Sequence, residues 1–232
     1  MKKTLLTAII ALLAVPIFNT RALAQDDGLV IASSKNNQSS LELLAHWGWG
    51  YNLVNNANFT CSDSGEFFVN IAELYLYPVS FFGLEVGVDY KTIYFTSKEQ
   101  AFYLNGYKDV NAMPYSLKYP GSITKNFSRV RTNTFSVPAV VKFKAGNFAL
   151  GVGAEANLNL TGRIKDKYFE NGKKVKNIEK GAQFNRYMYN LLAMVSFYDT
   201  SIYARYYPKG TSLFTEGGLY ADFMTIGIGL DF

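Results

Sequence analysis

Titratable side chains recur at every second position of several apolar segments, and that spacing limits the chemistry they can do. Glu42 and His46 alternate with Leu41, Leu43, Ala45 and Trp47, while Glu85, Asp89 and Lys91 alternate with Leu84, Val86, Val88 and Tyr90. A period of two is that of a β-strand with one oily face and one polar face. The same parity adds Glu73, Lys142, Glu155, Arg186, Arg205 and Asp231, which makes six acids and four bases beside one histidine. Gathered on one enclosed face, these groups must form a connected network of ion pairs, because a buried charge without a partner is costly. The excess of acid means that any leak through such an interior favours cations.

Catalysis is not expected. His46 is the only histidine, and a lone interior imidazole serves a polar network more readily than it serves as a base. No cluster of His, Cys and carboxylates has metal-ligand spacing. The glycines alternate within strands, and none opens a phosphate-binding loop ahead of a helix. The reading is of a non-enzyme without cofactor or metal.

A second set of charges lies between strands. The connection from about 96 to 130 carries Lys98, Lys108, Lys118, Lys125 and Arg129 against Glu99 and Asp109, a net +3. The connection from about 161 to 183 carries Arg163, Lys165, Lys167, Lys173, Lys174, Lys176 and Lys180 against Asp166, Glu170 and Glu179, a net +4. Cations on such loops suit the phosphates and acidic sugars of an outer leaflet. Outer-membrane lipid and lipopolysaccharide are therefore the expected partners. Asn105-Gly106 and Asn171-Gly172 favour two-residue hairpin turns, whose open edges could also receive envelope proteins.

The elements that must position these groups are strands. Alternation marks eight: about 41–52, 67–77, 84–94, 135–143, 148–160, 187–197, 202–206 and 225–232. Pro138 interrupts the fourth, where its missing N–H calls for a bulge or a gap. Short and long connections alternate, and Trp49, Tyr51, Tyr90, Phe135, Tyr187 and Tyr206 fall toward one rim with Phe143, Phe148, Phe197 and Phe232 toward the other. This is the pattern of an all-β, eight-stranded antiparallel transmembrane up-and-down β-barrel with long outer loops. Its eight strands leave a lumen just wide enough for side chains, so the lumen is expected to be plugged and the barrel monomeric.

Lys2, Lys3, the apolar run Leu5–Phe18 and Ala22-Leu23-Ala24 read as a signal peptide over 1–24. A flexible periplasmic segment over 25–39 and the barrel domain over 40–232 follow. Removing Lys2, Lys3 and Arg21 from the 23 Lys and Arg leaves 20 against 18 acids, so the basic balance lies largely in the leader and no nucleic-acid partner is expected. Cys61 has no second cysteine to pair with.

The leader, the eight-strand spacing, Val137-Pro138 at the start of the fourth strand and the ending Ile226-Gly227-Ile228-Gly229-Leu230-Asp231-Phe232 together resemble the PorT-like family of small outer-membrane barrels. The resemblance runs from about residue 40 to 232. It implies the bacterial outer membrane as the location. The function expected is envelope anchoring and surface contact, with a subunit of an envelope secretion or assembly complex, or a narrow channel, as alternatives.

Overall fold

Alternating segments can satisfy their backbone only by pairing, and here every ladder is antiparallel. The protein, seen in a computed structural model, is one sheet of eleven strands: β1 Val30–Ser33, β2 Ser39–Leu43, β3 His46–Val54, β4 Gly65–Val79, β5 Phe82–Ser97, β6 Ile123–Ala145, β7 Phe148–Glu170, β8 Lys173–Glu179, β9 Tyr187–Phe197, β10 Thr200–Tyr207 and β11 Phe223–Asp231. The structure describes residues 30–33, 39–54, 63–97, 123–179, 185–208 and 222–231. Residues 1–24, read as a signal peptide, together with Cys61, Lys98, the Asn105-Gly106 turn, Lys108, Lys118, Lys180 and Phe232, lie outside them.

Pairing follows the order β3–β4–β5–β6–β7–β9–β10–β11, and β11 returns to β3. Three strands stand off this ring. β2 pairs with the Ala72–Leu76 stretch of β4, β1 pairs with β2, and β8 pairs with β7. The eight-stranded transmembrane up-and-down barrel is therefore corrected to a branched eleven-stranded sheet. The functions that rested on that simple closure go with it: anchoring by a plugged lumen, a PorT-like subunit, and a narrow channel.

The reason lies in β-bulges, each of which shifts the side-chain parity by one and hides strand continuity from a period-two reading. One falls between Asn70 and Ala72 of β4, opposite the break at Leu44 between β2 and β3. Leu44 has φ 55° and donates its N–H to the Ile71 carbonyl at 3.3 Å. Asn70 staples the site. Its Oδ1 accepts the Ala45 N–H at 3.3 Å, and its Nδ2 donates to the Ala72 carbonyl at 3.3 Å. Ala45 is consequently buried and Leu44 exposed, the reverse of the expected faces, whereas Leu41, opposite Leu74, keeps the face expected of it. A second shift falls between Asn133 and Thr134 of β6, where β7 passes from Asn159 to Thr161. Beyond it β7 runs on to Glu170, so the expected second loop is strand and hairpin.

Asn171 and Gly172, with φ 49° and 75°, make the two-residue turn into β8. Both central residues have positive φ, as the Asn-Gly pair predicts. At Pro138 the outcome is a gap: the β5–β6 ladder passes from Val86–Ala139 to Asp89–Ser136 without change of register.

Inside the ring a small apolar cluster of Phe68, Val140, Leu192 and Tyr203, with Met194 against it, sits among polar groups. Gly153 allows β6 and β7 to approach there, because a Cβ at that position would collide with the Ala139 carbonyl oxygen and the Val140 Cα. Gly153→Ala is expected to lower stability by about 1–3 kcal/mol through overpacking. The denaturant midpoint of the purified protein measures this, and an unchanged midpoint would mean that the two strands have slack.

Candidate functional site

Arg205, at the middle of β10, organises the interior. Its Nε donates to Glu155 Oε1 at 2.9 Å and its Nη1 pairs with Glu66 Oε1. The guanidinium lies 4.2 Å from the Phe68 ring centroid and 4.4 Å from that of Tyr203. Both carboxylates have a further partner: Lys91 pairs with Glu155 Oε2, and the Tyr207 hydroxyl donates to Glu66 Oε2 at 2.6 Å. Lys91 also donates to Asn157 Oδ1 at 3.4 Å, and Asn157 in turn donates to Asn190 Oδ1 at 2.6 Å. Arg205, Glu66, Glu155 and Lys91 are buried. Such charge-assisted bonds are the strong ones, and each charge here has an opposite partner in reach.

Smaller pairs lie toward the Asp231 end of the ring. Lys142 meets Glu85 at 2.7 Å, and the Tyr77 hydroxyl donates to the same carboxylate. His46 Nδ1 lies 3.0 Å from Glu73 Oε2, which also accepts the Tyr75 hydroxyl at 3.0 Å. Asp89 accepts from Asn70 Nδ2 at 3.0 Å through Oδ1, while its Oδ2 has no protein partner. A cavity of about 40 Å³ lies between these groups and is lined by His46, Glu73, Asp89, Lys142, Arg205 and Asp231 among others. It has room for about three waters.

Of the eleven residues expected on the inner face, Glu73, Glu85, Asp89, Lys91, Lys142, Glu155 and Arg205 are buried in this network. His46 and Asp231 line its cavity, and Glu42 lies opposite Glu73 across the β2–β4 ladder. Arg186 is exposed and stands apart, just ahead of β9. Glu66 is the member that sequence reasoning missed. It precedes the Ile71 bulge, so its parity is inverted relative to Glu73. The polar Asn70 within an otherwise apolar run was the available signal.

The outer face has the opposite character. Ile228 is 54% exposed and lies between Trp49 of β3 and Ile202 of β10, which is 62% exposed. The row continues through Val195 and Leu150 to Phe143 and Phe82. Tyr187, Tyr189 and Leu191 extend it along β9 and are exposed.

Beyond this apolar zone, β6, β7 and β8 carry charge. Arg131 is opposite Arg163, Arg129 opposite Lys165, and Lys167 opposite Lys176. Directly opposed residues share a face, as do alternate residues of one strand, so Lys174, opposite Phe169, joins them. No acidic side chain shares this outer face among the described residues. Asp166 points inward and bonds Ser128. Lys165 is held below the usual lysine range, by partial burial first and then by Lys167, Lys176 and Arg163. Of the seven basic residues read from the second connection, Lys173 falls on the other face and Lys180 is outside the described residues. Arg129, read with the first connection, and Arg131, which the sequence reading did not single out, are brought in from β6.

No protein-family model and no curated protein matches the chain. Among solved structures, Ail, the attachment invasion locus protein of Yersinia pestis, is 13% identical over 84% of this chain and 98% of that one, with a TM-score of 0.34. Its complex with the heparin analogue sucrose octasulfate gives 13% and 0.33 over the same shares. A mutant porin of Rh. blastica gives 8% and 0.22 over 83% and 100%. The likeness is weak and general to outer-membrane proteins, with nothing specific to the PorT-like group. At these scores it carries no argument.

The interior generates a prediction. Arg205→Met leaves Glu66 and Glu155 buried without their shared cation, and breaking a buried pair this way costs about 3–5 kcal/mol. Equilibrium unfolding should show a loss of that order, with Arg205→Lys falling between the two proteins. A midpoint unaffected by Arg205→Met would show that the carboxylates have other compensation.

Proposed function

We propose that this chain is a lipid-contact protein of the bacterial envelope that works through its outer surface without catalysis. The observation that carries the reading is the continuous outer apolar row, from Trp49 through Ile228, Ile202, Val195 and Leu150 to Phe143. A soluble monomer rarely exposes a contiguous apolar patch larger than a few hundred Å², and larger ones mark binding to a membrane or partner. A lipid occupant is favoured because the polarity is inverted: the charges are inside and the hydrocarbon surface outside. An export leader and aromatics at both ends of the row agree with an envelope address, and the outer membrane is the finer location. Lipopolysaccharide is the finer partner. His46, tied to Glu73, has a structural role in this reading. The PorT-like resemblance adds no activity to it.

The test uses the two tryptophans, Trp47 and Trp49, which fall on the outer face. Vesicles whose acyl chains carry bromine should quench their fluorescence, since quenching requires contact with hydrocarbon. Ile202→Asp with Ile228→Asp puts two charges in the middle of the row and should abolish binding to vesicles of neutral lipid. Wild-type protein that stays in the aqueous phase, with unquenched tryptophans, would sink the reading.

A further inference from the structure

Like charges directly opposed across a ladder weaken it, yet three consecutive outer-face pairs of the β6–β7–β8 extension are Arg131–Arg163, Arg129–Lys165 and Lys167–Lys176. Among the described residues the repulsion is only partly relieved. Arg129 donates through Nε to Thr96 Oγ1 at 3.0 Å and lies 5.0 Å from the rings of Tyr94 and Phe127. Arg131 has Thr92 Oγ1 at 3.4 Å, and Lys167 lies 5.9 Å from the Phe127 ring. None of these partners is an anion.

The height of the array identifies what would neutralise it. The Arg131–Arg163 pair is the first cationic pair above the apolar zone: on the outer face of β6 it stands two steps above Phe135, with Asn133 between, about 9 Å of height at a lean of roughly 45°. From Arg163 to Phe169, opposite Lys174, the cations extend over about 20 Å of strand; a lean of roughly 45° still leaves about 14 Å of height. The headgroup layer of a simple phospholipid is only about 5–8 Å thick on each side of the hydrocarbon. Above Phe135 such a layer meets the Arg131–Arg163 pair through the length of the arginine side chains and stops well short of Lys167, Lys174 and Lys176. The upper cations need an anion that itself stands away from the hydrocarbon.

We propose that the outer face of β6, β7 and β8 is a binding site for the headgroup of a saccharide-bearing lipid that carries several phosphate groups at different heights. The lower arginines take the phosphates nearest the hydrocarbon, and Lys167, Lys174 and Lys176 take those on the outer sugars. Rows about 4.8 Å apart across strands let one phosphate bridge two cations. The inference rests on the lipid-contact reading and deepens it, adding which residues hold the headgroup and at what height.

The experiment compares flotation of the full folded chain on three kinds of vesicle: phosphatidylcholine alone, phosphatidylcholine with phosphatidylglycerol, and phosphatidylcholine with rough lipopolysaccharide at the same total charge. Two variants are used, Arg131→Gln with Arg163→Gln, and Lys167→Gln with Lys174→Gln and Lys176→Gln. All the substituted residues point away from the interior, so resistance to proteolysis in detergent should be unchanged. Neutral vesicles should bind wild type and both variants alike. The lower variant should weaken on both anionic vesicles. The upper variant should lose at least about tenfold on lipopolysaccharide vesicles and nothing on phosphatidylglycerol. Equal binding of the upper variant and wild type to lipopolysaccharide overturns the proposal. So does an equal loss on both anionic surfaces, which would be charge attraction without height. Failure of wild type on every vesicle overturns the lipid-contact reading beneath it.

Discussion

Arg205 is fully enclosed by the sheet, and a guanidinium cannot shed its charge there. Everything around it answers that constraint. Glu66 and Glu155 reach it from β4 and β7, Lys91 takes the far side of Glu155, and Tyr207 takes the far side of Glu66. These residues come from four strands, so the network forms only when the ladders around the ring are in register. A shift of one residue on any of them would turn a charged group outward and an apolar one inward. The ion cluster thus acts less as a source of net stability than as a specification of register, since a buried pair returns little beyond its own desolvation.

The bulges make that register compatible with the rest of the chain. At Ile71 the extra residue of β4 lets both Glu66 and Glu73 face inward although their spacing is odd. Asn70 takes up the backbone groups that the break at Leu44 frees. The second shift, near Leu160, turns Ile164, Asp166 and Tyr168 inward and sends Arg163, Lys165 and Lys167 out. Without it the same residues would bring three cations into the interior. One local irregularity therefore converts a continuation of the apolar outer row into a basic one and places two chemistries along a single pair of strands.

The outer surface then reads as a sequence of layers. Aliphatic and aromatic residues cover the ring from β3 round to β5, and cations follow on the extension, where Arg129 lies over the rings of Tyr94 and Phe127. Two adjacent surfaces of opposite character thus lie along the same pair of strands. The interior contributes by holding these strands in place.

The amino-acid sequence alone determined the strand class and most of the faces. A period of two cannot be read as helix, and from Trp47 to Asn52, from Leu84 to Lys91 and from Phe148 to Asn159 the expected inner and outer residues stand where the alternation puts them. Asn171-Gly172 marked its turn because few other pairs accept positive φ at two successive positions. Strand count, branching and the grouping of charges were decided only by tertiary structure. Parity is a local signal and fails at the first bulge, so Glu66 was missed and the β7 extension was taken for a loop. Arg129 and Arg131 joined Arg163, Lys165 and Lys167 through cross-strand pairing between residues more than thirty positions apart. No pattern along one segment can report which residue of another strand will lie 5 Å away, because that depends on where both bulges fall and on the one register in which Arg205 finds its carboxylates.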